Sequence, residues 1–234
     1  LTVTGFSDNL RAMARITINL EPLAGLYRDG VDRARAVIKN ALACEVAGAD
    51  SVLISLDGDP AKRKVISSLI DTLDIGLTIK TAMDGKSLES VIDLRPAMAM
   101  IPFQAERTEG LATTITNLQV ENILVALEIP LELERVKDAA RLKCDYVILN
   151  CEPFCSAKTV NTQLEELNRI SKLAALASRL TMGTIALGDF SIGHLGRMKS
   201  GLNVEEYILG VPFFSDALVH GYSRALEIVR FALT

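Results

Sequence analysis

The sequence predicts an α/β chain closed into a (β/α)8 TIM barrel, and three observations predict it. Short β-branched or aliphatic runs alternate from end to end with longer segments of 3.6-residue apolar spacing, the mark of strands trailed by helices. Eight such runs are found in 234 residues, close to the roughly 250 residues usual for this barrel. The first run is followed by Leu20-Glu21-Pro22-Leu23-Ala24-Gly25 rather than a Gly-x-Gly-x-x-Gly turn, which weakens a doubly wound open sheet as the alternative.

The first strand is expected over Arg15–Leu20, followed by a helical pattern from Val31 to Ala47 that stops at Gly48. The second strand is expected over Ser51–Leu56. A helix opens after it at Asp59-Pro60, a capping side chain followed by proline at the first helical position. Further strands are expected at Gly76–Ala82, Ala97–Pro102, Asn122–Ile129, Asp145–Asn150, Thr181–Leu187 and Tyr207–Val211, each with a helix behind it, the longest from about Thr162 to Arg179. No linker or low-complexity stretch divides the chain, so residues 14–234 are expected to form one domain behind an N-terminal extension, residues 1–13.

Composition narrows the function classes. The 25 basic side chains stand against 29 acidic ones, for a formal net charge of −4, so no nucleic-acid partner is expected, because such footprints show a basic excess or stripe. No apolar run reaches the roughly 18 to 20 residues of a membrane span. Leu1 to Met13 has neither a basic region nor an apolar core of a signal peptide, which makes the cytoplasm the expected compartment. Of the cysteines Cys44, Cys144, Cys151 and Cys155, only the last two are near one another, and His194 and His220 lie far along the chain. Neither a disulfide framework, a metal nor another cofactor is therefore expected.

Several segments, in order, resemble the pyridoxine 5′-phosphate synthases of vitamin B6 synthesis: Ile16-Thr17-Ile18-Asn19, Glu45-Val46-Ala47-Gly48-Ala49-Asp50, Arg95-Pro96, Thr108-Glu109-Gly110, Val136-Lys137-Asp138-Ala139-Ala140 and Leu209-Gly210. The resemblance covers nearly the whole chain from about residue 14. It implies a metal-free barrel that assembles into a homo-oligomer and condenses an amino-ketone phosphate with deoxyxylulose phosphate. The family's reacting groups, however, are replaced in this chain. Where the resemblance implies Asn-x-Asp-His, the sequence reads Thr17-Ile18-Asn19-Leu20, and the third-strand glutamate falls on Lys80, a reversal of charge. The second strand's His-x-Arg is Ser55-Leu56-Asp57, the sixth strand's Glu-x-His is Ile148-Leu149-Asn150, and the seventh strand's Gly-His-Gly is Ala186-Leu187-Gly188. The Gly-Arg opening the family's last helix is matched by Ser215-Asp216. Proton transfers near neutral pH rely on groups such as histidine that change charge there, so the family's own reaction is not expected.

Sites in these barrels lie at the C-terminal ends of the strands, and alternation along each strand selects the inward side chains. With Lys80 taken as inward, the mouth is expected to hold Thr17, Asn19, Glu21, Ser55, Asp57, Glu128, Asn150, Glu152 and Asp189. Lys80, Glu128 and Asp189 are the candidate reacting groups. Asn19, Glu21, Ser55, Asp57, Asn150 and Glu152 are candidate ligand contacts. Gly188 and Gly210 stand where the resemblance places backbone amides that hold a phosphate, and both also suit ordinary turns. The ring carries one fixed cation among several carboxylates, with Arg28 and Arg107 on loops beside it. Lys80 is either a Schiff-base nucleophile or the partner of Glu128, and nearby carboxylates favour the pair. Cys151 is expected to be an inert, packed thiol.

Two functions fit, both with a small-molecule ligand. One is an enzyme of altered chemistry on a phosphorylated carbonyl or an amine. The other is a non-catalytic paralog acting as a binding or regulatory subunit, in which Leu20, Leu187, Phe103 and Phe154 fill the mouth with apolar side chains.

Overall fold

A computed structural model describes residues 14–26, 30–104, 110–199 and 202–234. Eight parallel strands close into a barrel in chain order: β1 (Arg15–Asn19), β2 (Ser51–Leu56), β3 (Gly76–Thr81), β4 (Met98–Pro102), β5 (Leu124–Ile129), β6 (Tyr146–Asn150), β7 (Gly183–Gly188) and β8 (Glu206–Leu209). Around them lie α1 (Glu21–Ala24), α2 (Gly30–Ala47), α3 (Pro60–Thr72), α4 (Gly85–Leu94), α5 (Leu111–Val120) and α6 (Leu133–Arg141). The circuit continues with α7 (Glu152–Cys155), α8 (Val160–Arg179), α9 (Ile192–Met198), α10 (Val211–His220) and α11 (Tyr222–Leu233). The expected extension, residues 1–13, and the loop arginines Arg28 and Arg107 lie outside the described residues, as do Thr108 and Glu109.

Alternation sorts each strand into two packed faces. Leu53, Met98, Met100, Ala126, Ile148, Ile185 and Ile208 form a dry plug inside the barrel. Residues on the opposite face of the strands, such as Ile16, Ile18, Val52, Ile54, Ile79, Ile101 and Leu127, form the larger core between strands and helices. Each fully buried aliphatic side chain contributes about 1.5–3 kcal/mol, so the two layers fix the strand register. Aspartates at the strand entrances add hydrogen bonds across it. Asp50 accepts from Ile16 N at 2.8 Å and from Arg230 at 3.0 Å, while Asp145 accepts from Val125 N at 2.8 Å.

The N-terminal end of the barrel is closed by side chains. Thr17 donates to Glu206 at 2.7 Å, Arg15 pairs with the other Glu206 oxygen at 2.7 Å, and the Arg15 guanidinium stands 5.6 Å from the Tyr146 ring centre. A Cβ on Gly183 would lie 2.3 Å from the Tyr146 ring, so only glycine leaves room for it. Burial pushes the Glu206 carboxyl above its ordinary range, and the Thr17 hydrogen bond and Arg15 charge only partly oppose this.

Most element boundaries shift by one or two residues from expectation, for local reasons. Asn122 and Thr181 adopt left-handed φ of 62°, so β5 and β7 start after them. Helix α2 stops at Gly48, whose φ of +93° suits glycine. Val211, expected as the end of the last strand, instead opens α10. Helices α1 and α7 were not expected, and the helix expected behind the last strand is split into α10 and α11; α1, α7 and α10 each carry a proline in the first turn, which marks their starts.

Candidate functional site

Above the apolar plug, the inward positions at the C-terminal ends of β3 and β5 place Lys80 and Glu128 together. Lys80 Nζ donates to Glu128 Oε2 at 2.9 Å. With the lysine side chain 39% exposed and the glutamate 18%, the pair lies between dry core and solvent. Below it are Met100, Ala126 and Ile148, which are fully buried. Ser55 is paired in register with Lys80 on the neighbouring strand. Asn19 and Asn150 close matching turns at the ends of β1 and β6. Asn19 Oδ1 accepts from Glu21 N at 3.1 Å, and Asn150 Oδ1 accepts from Glu152 N at 3.0 Å. With its oxygen engaged, an asparagine retains NH2 donors for other partners.

Glu21 and Asp57 are drawn away from that ring. Glu21 accepts from Ser55 N at 2.6 Å, and Lys62 on α3 bridges Glu21 at 3.1 Å and Asp57 at 3.2 Å. Burial works to raise the Asp57 pKa, but the Lys62 hydrogen bond and charge, with backbone N–H donors, outweigh it and hold it below the usual carboxylate range. Lys62, which strand alternation does not reveal because it sits on a helix, thus neutralises two of the carboxylates counted in the expected ring.

Asp189 is likewise engaged with backbone. Its Oδ1 accepts from Val211 N, the first residue of α10, at 3.0 Å. A Cβ on Gly210 would fall 2.3 Å from that same oxygen. Gly188 is covered on its side by Phe190 and Cys155, which would stand 3.2 Å and 3.3 Å from an added Cβ. Glu152 is exposed at the start of α7. Its charge and that of Asp189 add to burial in raising the Cys155 thiol to about 12. Cys151 is fully buried, donates to Leu149 O at 3.3 Å, and has its pKa raised by burial, which leaves no reactive thiolate. His194 forms a capping box with Ser191 at the start of α9 and packs edge-on against Phe154.

Of the four apolar residues that could have filled the mouth, Leu20, Phe103 and Phe154 belong to the outer core, and only Leu187 packs against the inner plug. The mouth thus retains a polar set, Asn19, Ser55, Lys80, Glu128 and Asn150. Among the described residues, no group of three or more His, Cys, Asp or Glu side chains is placed to hold a metal ion. No helix among them is long and apolar enough to cross a membrane.

A closed eight-stranded parallel barrel with polar side chains at its C-terminal mouth defines the class, a TIM-barrel protein. Residues 16–234 match the family model described as "Pyridoxal phosphate biosynthesis protein PdxJ", and the chain belongs to that family. It is 26% identical over 239 residues to the pyridoxine 5′-phosphate synthase of Citrifermentans bemidjiense, covering 94% of this chain and 100% of that one. Its identity to the corresponding Geobacter metallireducens protein is 24% over 241 residues, with the same coverage. Among solved structures, 3-keto-L-gulonate-6-phosphate decarboxylase from Vibrio cholerae superposes with a TM-score of 0.71 at 15% identity, over 95% of this chain and 98% of that one. An aldolase from TTHB1, a 4-hydroxy-2-oxoglutarate/2-deydro-3-deoxyphosphogluconate aldolase, superposes with a TM-score of 0.62 at 16% identity, over 95% and 96%. At these identities the two structures speak for the fold alone.

Proposed function

We propose that this chain is a small-molecule protein of the PdxJ family that has left pyridoxine phosphate synthesis and works on a polar carbonyl or amine compound in the barrel mouth. The observation that carries the reading is the Lys80–Glu128 pair, 2.9 Å apart and open to solvent above a dry plug. In this reading Lys80 offers a positive hydrogen-bond donor to a ligand oxygen, and Glu128 exchanges a proton with the ligand or orients its amine. Asn19, Ser55 and Asn150 supply neutral polar contacts around them. An ammonium already paired with a carboxylate is not a free amine, so imine chemistry at Lys80 is not part of the reading. The replaced histidines remove acid–base steps, each worth on the order of 10²–10⁴ in rate.

The non-catalytic alternative draws less support, because Leu20, Phe103 and Phe154 pack outside the mouth rather than into it. Two measurements test the proposal. A thermal-shift panel of small carbonyl compounds and amines is expected to yield a stabilising ligand whose effect disappears in Lys80→Met. Expression in a pyridoxine-requiring strain is expected to give no growth. Rescue of that strain, with loss of rescue on Lys80→Ala, would return the protein to the family's reaction. Assembly into a homo-oligomer, which the resemblance implies, is part of the proposal and is read by light scattering.

A further inference from the structure

In (β/α)8 barrels the loops after the seventh and eighth strands, with the N-terminus of a short extra helix, frequently form a phosphate site, because free backbone N–H groups and the helix dipole attract anions. This chain has the parts: β7 ends at Gly188, β8 leads through Gly210, and α10 is the extra helix. Its first amide is not free. Asp189 Oδ1 accepts from Val211 N at 3.0 Å and rests on the Gly210 face where an added Cβ would lie 2.3 Å away. Pro212 provides no N–H, so this carboxylate takes the foremost donor of the helix.

A second observation concerns the charge around that hydrogen bond. The hollow in front of α10 is lined by Asp189 and Asp216 with Ser191, Gly193 and Ser215, and no Lys or Arg lines it among the described residues. A phosphate entering there meets two carboxylates and no countercharge. At Gly188 the space that a Cβ would take is closed by Phe190 and Cys155.

We infer that Asp189 is a built-in anion that determines ligand class: it occupies the phosphate corner of the barrel, and the compound bound in the mouth carries no phosphate group at the β7–β8 end. This deepens the reading of the mouth proposed above and rests on it for the existence of a ligand. The residue acts by exclusion, and its removal converts a closed corner into an anion acceptor.

The test is a titration with inorganic phosphate, followed by calorimetry and by the amide resonance of Val211, on the wild-type chain, Asp189→Ala and Asp189→Ser. Two substitutions guard against one of them failing to fold, which a cooperative thermal melt checks. The wild type is expected to show no saturable binding, while the variants bind at least about tenfold more tightly and shift the Val211 resonance. Equal phosphate affinity in wild type and variants would overturn the inference, and so would folded variants that gain no binding. The mouth reading fails by a different result, namely that no unphosphorylated carbonyl or amine gives a stabilisation sensitive to Lys80→Met, whatever the phosphate titration shows.

Discussion

Lys80 and Glu128 sit at the edge of solvent, the glutamate the more buried of the two, and that position sets the size of any substitution effect. A fully buried pair that loses one partner costs about 3–5 kcal/mol, whereas exposed pairs are worth about 0–1 kcal/mol. With 39% and 18% of the two side chains exposed, Lys80→Met is expected to cost about 1–2 kcal/mol, and the double change to Met at both positions less than the sum of the singles. Urea unfolding of the four-member cycle measures this, and strict additivity would mean that the pair carries no coupling. Borohydride with a carbonyl ligand is expected to leave Lys80 unlabelled. Glu206 behaves differently because burial raises its pKa. Its folded form binds a proton more tightly than its unfolded form, so the stability it contributes is complete below the ordinary glutamate range and is lost as pH rises through the folded pKa. The wild type should therefore lose stability relative to Glu206→Gln as pH rises from about 4 towards neutrality, and a constant difference across that range would contradict the assignment.

The strand pattern was legible because period-2 alternation and burial act on every residue of a barrel wall. With Lys80 taken as inward from the family resemblance, it set Glu128 on the same layers as its expected partner, and the structure brings the two together. Past the strand ends, alternation no longer governs. Glu21, Asp57 and Asp189 lie there, and each turns to a partner that only the folded chain supplies: Lys62 on α3 for the first two, and Val211 N on α10 for the third. Short helices escaped for a related reason, since four residues cannot show a 3.6-residue period. Capping signals were reliable where a side chain does the work. Asp59 was expected to cap α3, and its carboxylate accepts from Ala61 N at 2.9 Å. Replacing it with alanine should lower stability by about 1 kcal/mol. A loss no greater than a few tenths would show that water replaces the cap.

The outer core draws on every strand of the closed circuit and the inner plug on six of the eight, so no subset of strands buries its own apolar surface. The chain is expected to unfold as a single cooperative unit, with urea transitions by fluorescence and circular dichroism coinciding. Mild proteolysis should cut residues 14–234 at loop tips only. A stable fragment of half the chain would contradict this organisation.

The apolar plug, backed at the N-terminal end by the contacts among Arg15, Tyr146 and Glu206, makes the barrel a cup rather than a tube. Whatever enters the mouth must leave by the same opening, so entry and release compete for one doorway. Any compound lodged over Lys80 and Glu128 therefore blocks its successor until it departs.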